Sequence, residues 1–380
     1  MTEKKPYVIL DIVILQKESA FTRGYDGQKG GTMKILQIAP IWEAVPPSAY
    51  GGTEAVVDLL CKGLADNEKN EVLLACSSDS KINHPRIRKV GAKVPALRRQ
   101  SYEDKKPHEW FYIAEALRVA VEEQVDIIHN HSGEIVMAFS PAGIPILTST
   151  HCMPTPDTLP IWKNYRGDWN AISARQRDVM PDGMGGRYLG AVHNGIDVAS
   201  FPFGESSQCE DYLLFLGRLS PEKGTHIAIQ VARTLDIPIK IAAKRPDSEK
   251  DEYYNKHSVE PLLDDDKFAY VGEAGPRAKR ELYQRALATL VPIQWEEPFG
   301  LVMAESLACG TPVIAFSRGA APEIVRDGIT GYLVDDLEGM IAAVRKIDRI
   351  DPQNCRKDML ERFDATVMTR NYQKLFSDIT

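Results

Sequence analysis

Tyr212-Leu213-Leu214-Phe215-Leu216-Gly217-Arg218-Leu219-Ser220-Pro221-Glu222-Lys223-Gly224 is the stretch on which the reading of the fold turns. Its first six residues form an apolar run of strand length, and the Ser-Pro step and the glycine that follow punctuate a turn before a helix-like pattern begins. Arg218 and Lys223 therefore fall at the carboxyl end of a strand. There they can converge on one anion, Arg as a planar fork and Lys as a point charge. Two solvated surface cations are the plain alternative. Upstream of this stretch a strand–helix alternation has already run its course, and here it restarts, which makes the chain two domains rather than one.

The composition agrees with that division. The chain has 380 residues with 43% hydrophobic and 26% charged residues, a length that at about 100–200 residues per domain suggests two, each able to bury a core. Disordered, collagen-like and low-complexity classes are excluded. A formal charge of −7, from 46 Lys+Arg against 53 Asp+Glu, argues against a nucleic-acid partner, whose phosphates call for a surplus of cations. Six scattered cysteines without a CxxC pair fit a reducing compartment with neither a disulfide frame nor a zinc site.

In the first half, strands are expected at 34–39, 71–76, 125–129, 145–149, 169–172 and 190–193, with helices at 53–66 and 109–123. In the second half, strands are expected at 212–217, 238–242, 268–271, 288–292, 312–316 and 332–334. Alternation of this kind implies an α/β chain of two Rossmann-like, doubly wound parallel-sheet domains, with ligands beyond the carboxyl ends of the strands in the cleft between them. The domain division is 1–32 as an appended segment with no assigned function, 33–200, 208–352, and 353–380 as an amphipathic helix packing back across the first domain. A turn-rich stretch around 198–210 is the expected linker. No stretch is long and apolar enough for a spanning helix, so a cytoplasmic location is expected.

A second segment carries the chemistry: Glu296-Glu297-Pro298-Phe299-Gly300-Leu301-Val302-Met303-Ala304-Glu305-Ser306-Leu307-Ala308-Cys309-Gly310-Thr311-Pro312. Pro298 fits a helix start and Gly310 its end, with Pro312 blocking continuation. Glu297 then sits in the loop ahead of the helix and Glu305 about two turns inside. Gly300, Leu301 and Val302 would offer unpaired N–H groups at the positive end, a site for phosphate. Carboxylates beside a phosphate site are electrostatically awkward unless they accept from neutral hydroxyls, and sugars supply hydroxyls. An acidic first turn favoured by the helix dipole alone is the simpler reading of either Glu.

The spacing Glu297-x7-Glu305 with the run from Gly217 to Gly224 resembles the retaining glycosyltransferases of family 4, which have the GT-B fold. Further matching runs are Tyr50-Gly51-Gly52-Thr53-Glu54, Asp126-Ile127-Ile128-His129-Asn130-His131, Thr150-His151, His193-Asn194-Gly195-Ile196-Asp197 and residues 319–331. The resemblance implies transfer of a sugar from a nucleotide diphosphate donor to an acceptor without a metal or other cofactor. It implies catalytic roles for Arg218 and Lys223 on the diphosphate, for Glu297 on donor-sugar hydroxyls, and for His131 at the cleft edge. It implies donor contacts from Glu305 to the ribose, from the N–H groups of Gly300 to Val302, from Gly51 and Gly52, and from the neighbourhood of Lys244 to the base. One departure is Gly319-Ala320-Ala321, where two glycines are usual.

His129 reads as structural and His151 as a weak acceptor contact. Asp264-Asp265-Asp266 reads as a solvated turn. Residues 81–108 hold nine Lys/Arg against Glu103 and Asp104, a local +7. Arg98 and Arg99 within it are the weak acceptor-binding candidates, suited to a lipid-linked anionic acceptor or the inner membrane face; a solvated basic loop is the competing reading. Family frequency favours UDP-glucose as donor with GDP-mannose next, and a saccharide or lipid-linked acceptor in polysaccharide or glycoconjugate synthesis. A dinucleotide-dependent oxidoreductase is the alternative from another class. It needs Gly-x-Gly-x-x-Gly after a strand, and Gly183-Met184-Gly185-Gly186 lacks that context.

Overall fold

The computed structural model describes residues 32–48, 51–139, 143–203, 210–246, 248–263 and 267–380. The segment 1–31, Tyr50, residues 204–209 of the expected linker and Asp264-Asp265-Asp266, read above as a solvated turn, lie outside these.

Among the described residues, thirteen strands form two sheets. The first contains β1 (Met33–Ile38), β2 (Asn70–Ala75), β3 (Ile87–Val90), β4 (Ile127–Asn130), β5 (Ile146–Thr150), β6 (Asp168–Ala171) and β7 (Arg187–Ala191). The second contains β8 (Leu213–Arg218), β9 (Ile239–Lys244), β10 (Phe268–Gly272), β11 (Ala288–Val291), β12 (Val313–Phe316) and β13 (Gly331–Val334). Their orders are β3-β2-β1-β4-β5-β6-β7 and β10-β9-β8-β11-β12-β13. All the paired strands run parallel. These are the two doubly wound sheets that the alternation predicts. Near-continuous apolar runs such as Leu213-Leu214-Phe215 suit them, because both faces of a parallel sheet are covered by helices.

Strand order fixes where a ligand goes. In each sheet the first strand is central and its neighbours depart in opposite directions, β2 and β4 from β1, β9 and β11 from β8. A crevice opens at such a switch point, beyond the carboxyl ends. Gly51 and Gly52 follow β1, His131 follows β4, Arg218 ends β8, and the Glu297 loop follows β11.

Three details differ from the sequence reading. β3 was not anticipated, since Ile-Arg-Lys-Val alternates too briefly to register and sits at the sheet edge. The helix expected from Pro298 begins at Leu301, with Gly300 as its N-cap at φ 94°; Glu305 is therefore about one turn inside, not two. The terminal pattern is two helices, Pro352–Arg362 and Ala365–Ile379. The break falls at Phe363-Asp364, where the Asp364 side chain caps the second helix by accepting from Thr366 N.

That break is where the chain changes lobes. Ile196 N donates to Phe363 O and Ala365 N to Ile196 O, both at 2.9 Å. Cys355, Met359 and Phe363 pack into the core around the second sheet, whereas Met368, Tyr372, Leu375 and Phe376 pack into the first. Tyr372 is fully buried, and its hydroxyl lies 2.9 Å from Ser149 Oγ and accepts from Asn170 Nδ2 at 3.4 Å. No helix among the described residues is long and apolar enough to cross a membrane.

Candidate active site

A cavity of about 920 Å³ lies between the two sheets, lined by residues of both. Two helix N-termini meet on its lining. Gly52 opens the helix Gly52–Asp66, and a Cβ added there would come 3.2 Å from Cδ1 of Leu301, the first residue of the helix Leu301–Ala308. The first end is met by the carboxylate of its own Glu54, whereas the second carries no acidic side chain in its first turn and so favours an anion. Gly51 is required for the approach: a Cβ would meet Pro47 Cβ at 2.6 Å and the Glu54 carboxylate at 3.3 Å.

On the wall formed by the second sheet, Lys223 Nζ pairs with Glu297 Oε2, which also accepts from Trp295 Nε1 at 2.9 Å. Lys223 Nζ in turn stands 5.4 Å from the Trp295 ring centroid, so that the indole contacts both members of the pair. Arg218 Nη2 donates to Glu222 at 3.2 Å, while its Nε is buried with no partner among the described residues. An unsatisfied buried guanidinium donor is costly to leave empty. Glu305, 8% exposed, accepts from Lys279 Nζ at 2.5 Å and from Tyr283 OH at 3.1 Å. Burial and the Glu305 carboxylate together drive the Tyr283 hydroxyl well above the ordinary phenol range. Lys244, at the end of β9, lines the same wall.

The Glu297 loop is braced from behind. Gly319 has φ 54°, and a Cβ there would fall 2.3 Å from Glu297 N and 2.5 Å from its carbonyl oxygen. Ala320 N donates to that carbonyl at 2.9 Å. Only the first position of Gly319-Ala320-Ala321 therefore needs glycine, and alanine fits the second. Glu296 binds Arg175 of the other lobe at 2.8 and 3.1 Å, and the guanidinium lowers its carboxyl below the usual range. Glu323 accepts from Ala174 N and Arg175 N at 2.9 and 2.7 Å and bonds His193 at 2.7 Å. These bonds strap the lobes together beside the site.

On the first-sheet wall, His131 is engaged at both ring nitrogens, Nε2 to Gln37 Oε1 and Nδ1 to His151 Nε2, each at 2.9 Å. With the Gln37 oxygen as acceptor, His131 carries its proton on Nε2 and accepts from His151 Nε2–H. Burial, then the neighbouring His129 and His151, holds His131 well below the ordinary imidazole range, and burial pushes His151 down to about 4. His129 is wholly buried against Tyr372 and Phe376 and bonds Ser149 at 2.7 Å.

The structure thus brings Arg218, Lys223, Lys244, Glu297, Gly300, Leu301, Val302, Glu305, Gly51, Gly52, His131, His151 and Arg98 to one cavity; the side chain of Arg99 lies outside the described ones. Trp295, Lys279 and Tyr283 escaped the sequence reading, because an aromatic two residues from a carboxylate and a Lys-x3-Tyr step on another helix carry no local signal. The basic segment does not form one cationic face. Arg86 binds the Ala65 carbonyl, Arg88 binds Glu123, Lys89 binds the carbonyls of Ser78 and Ser80, and Arg98 pairs with Glu43.

Residues 50–199 match the model of glycosyltransferase family 4, and residues 200–363 match that of the glycosyl transferases group 1. The chain belongs to glycosyltransferase family 4. Among similar proteins, a D-inositol 3-phosphate glycosyltransferase of Mycobacterium sp. (strain JLS) is 32% identical over 168 residues, 39% of this chain and 36% of that protein. The chain therefore spans well under half the length of that relative. A phosphatidyl-myo-inositol mannosyltransferase of Mycolicibacterium smegmatis is 24% identical over 68% of this chain and 72% of its own. HepE of Anabaena, solved in complex with UDP and glucose, superposes with a TM-score of 0.67 at 16% identity over 91% of this chain and all of its own. The two facing parallel-sheet domains of this family 4 chain are of the GT-B kind.

Proposed function

We propose that the protein is a retaining hexosyltransferase. It moves a hexose from a nucleotide diphosphate sugar, UDP-glucose before GDP-mannose, to a saccharide or lipid-linked acceptor in polysaccharide or glycoconjugate synthesis, with no metal ion. The observation that carries this reading is the convergence on one wall of Arg218, Lys223 and the N-terminus of Leu301–Ala308, with Glu297 between them.

The diphosphate takes the Arg218 guanidinium, whose Nε has no partner among the described residues, and the Lys223 ammonium. Lys223 then leaves Glu297, whose carboxylate becomes available to sugar hydroxyls, so phosphate binding and sugar binding assist one another. Glu305 exchanges Lys279 for the ribose hydroxyls, while Gly300, Leu301 and Val302 hold the distal phosphate by backbone N–H groups. In the chemical step the bond from the anomeric carbon to the phosphate oxygen breaks. The acceptor oxygen attacks the same face, and its proton passes to the departing phosphate. Charge grows on the diphosphate as that bond breaks, and the preorganised cations and amides stabilise it. With both nitrogens of His131 engaged by Gln37 and His151, the histidines shape the sugar pocket as a neutral wall.

Isothermal titration with UDP-, GDP- and ADP-sugars tests this directly. Binding of UDP-glucose, lost in Lys223→Ala and unaffected by EDTA, is the expected result. Preference for GDP-mannose would move the assignment to the second donor, and a requirement for a divalent cation would contradict the metal-free mechanism.

A further inference from the structure

The two walls of the cavity differ in charge. The second-sheet wall carries five lining cations (Arg218, Lys223, Lys244, Lys279 and Arg280) against Glu273, Glu297 and Glu305. The charged lining side chains of the first lobe before the crossover are Glu54, Asp58 and Glu134 against Lys62 and Arg98. Lys62 is bound to Asp58 at 2.7 Å, and Arg98 to the buried Glu43 at 3.4 Å.

Arg98, Glu43 and Glu54 lie together. Arg98 N donates to Trp42 O at 3.1 Å. The Glu54 carboxylate accepts from the backbone of Glu54 and Glu43, and burial, with repulsion from Glu43, raises its pKa. One turn on from Glu54, Asp58 is 6% exposed, lines the cavity, and leaves its buried Oδ1 without a partner among the described residues. Trp42 lines the mouth with 37% of its surface exposed, Lys105 Nζ standing 5.9 Å from its ring centroid. An exposed indole lining the cleft offers a flat apolar face on which a ring can pack.

A pyranose ring meets both features. Its C–H face is apolar and packs on an indole, and its hydroxyls donate to carboxylates, which only accept. A phosphate or carboxylate on the acceptor would instead face Glu54, Asp58 and Glu43, with Lys62 and Arg98 already paired and Lys105 held over the Trp42 ring. We propose that this wall is an acceptor subsite for an uncharged saccharide, with Trp42 as its stacking platform and Glu54 and Asp58 as acceptors for its hydroxyls, and that it discriminates against phosphorylated and acidic acceptors. The proposal rests on the glycosyltransferase reading and narrows it, setting aside the anionic lipid-linked acceptor that the basic segment suggested.

The test is titration of the UDP-saturated protein with glucose and myo-inositol, each beside its anionic counterparts: glucose 6-phosphate and glucuronate for glucose, myo-inositol 3-phosphate for myo-inositol. At least one neutral probe is expected to bind, with its anionic counterpart about tenfold weaker or more. Trp42→Ala should weaken the neutral probe by a similar factor while leaving UDP affinity unchanged, and Glu54→Gln should narrow the discrimination against the anion. An anionic probe that binds as tightly as its neutral counterpart overturns the proposal. So does neutral binding indifferent to Trp42→Ala, or the failure of every neutral probe while UDP binds. Failure of UDP itself to bind would strike the donor reading instead, which keeps the two distinguishable.

Discussion

The two lobes share an architecture and present opposite chemistry to the same cavity. Each offers a helix N-terminus to the cavity, past β1 in the first lobe and past β11 in the second, yet the second lobe surrounds it with cations and the first with carboxylates and neutral histidines. A common backbone device thus supplies the local positive potential, and side chains decide what each wall can hold. On the second wall the opposite charges are already paired, Lys223 with Glu297 and Lys279 with Glu305. Such pairs lower the cost of holding buried charges without a ligand and exchange partners when one arrives.

The largest effects should come from breaking the cationic wall. Lys223→Ala and Glu297→Ala are each expected to lower transfer by about 10²–10³, or about 2.7–4 kcal/mol of lost transition-state stabilisation. Single-turnover assays would measure this, with circular dichroism confirming a folded chain. Equal activity in either variant would dissolve the contrast between the walls. Gly319→Ala comes next. A side chain at φ 54° that close to the Glu297 backbone must displace the loop, costing about 1–2 kcal/mol for the left-handed conformation alone, together with a loss of activity. Ala320→Gly should leave activity near that of the parent protein. Thermal melts and turnover on the pair would separate loop position from glycine content.

The histidine wall supplies a pH signature. His129, His131 and His151 are all held below the ordinary imidazole value of 6.5 in the fold, His151 at about 4. The unfolded chain therefore binds protons first as pH falls, so their contribution is complete above about pH 6.5 and is lost progressively toward pH 4. Melting temperature should fall over that window, and His151→Gln should flatten the fall. The smallest effect is expected from Tyr372→Phe, which removes the hydroxyl bonded by Ser149 and Asn170 across the lobe contact. A loss of about 1 kcal/mol, read as a modest drop in melting temperature with UDP affinity intact, would place Tyr372 in the support of the first lobe rather than in the site.

How much of this was legible in the sequence follows from how local each signal is. Apolar runs such as Leu213–Leu216 announced the central strands because a buried parallel strand is covered on both faces, whereas the edge strand Ile87–Val90 is not. Glu297 and Glu305 were readable because their spacing around a helix start is a property of one segment. Their partners Lys279, Tyr283 and Trp295 were not, since two of them come from another helix and meet Glu305 only through tertiary packing. The same applies to the first wall. Nine cations within residues 81–108 looked like one patch, but the fold sends Arg88 to Glu123 and Arg98 to Glu43, and charge that is paired in space is invisible in a count along the chain.

A crystal structure with UDP bound would show which wall holds the diphosphate. It is expected on the second wall, in contact with Arg218, Lys223 and the backbone N–H groups of Leu301 and Val302, with Glu297 released from Lys223. A diphosphate lying against Glu54 and Asp58, or a Lys223–Glu297 pair unbroken beneath a bound nucleotide, would contradict this assignment.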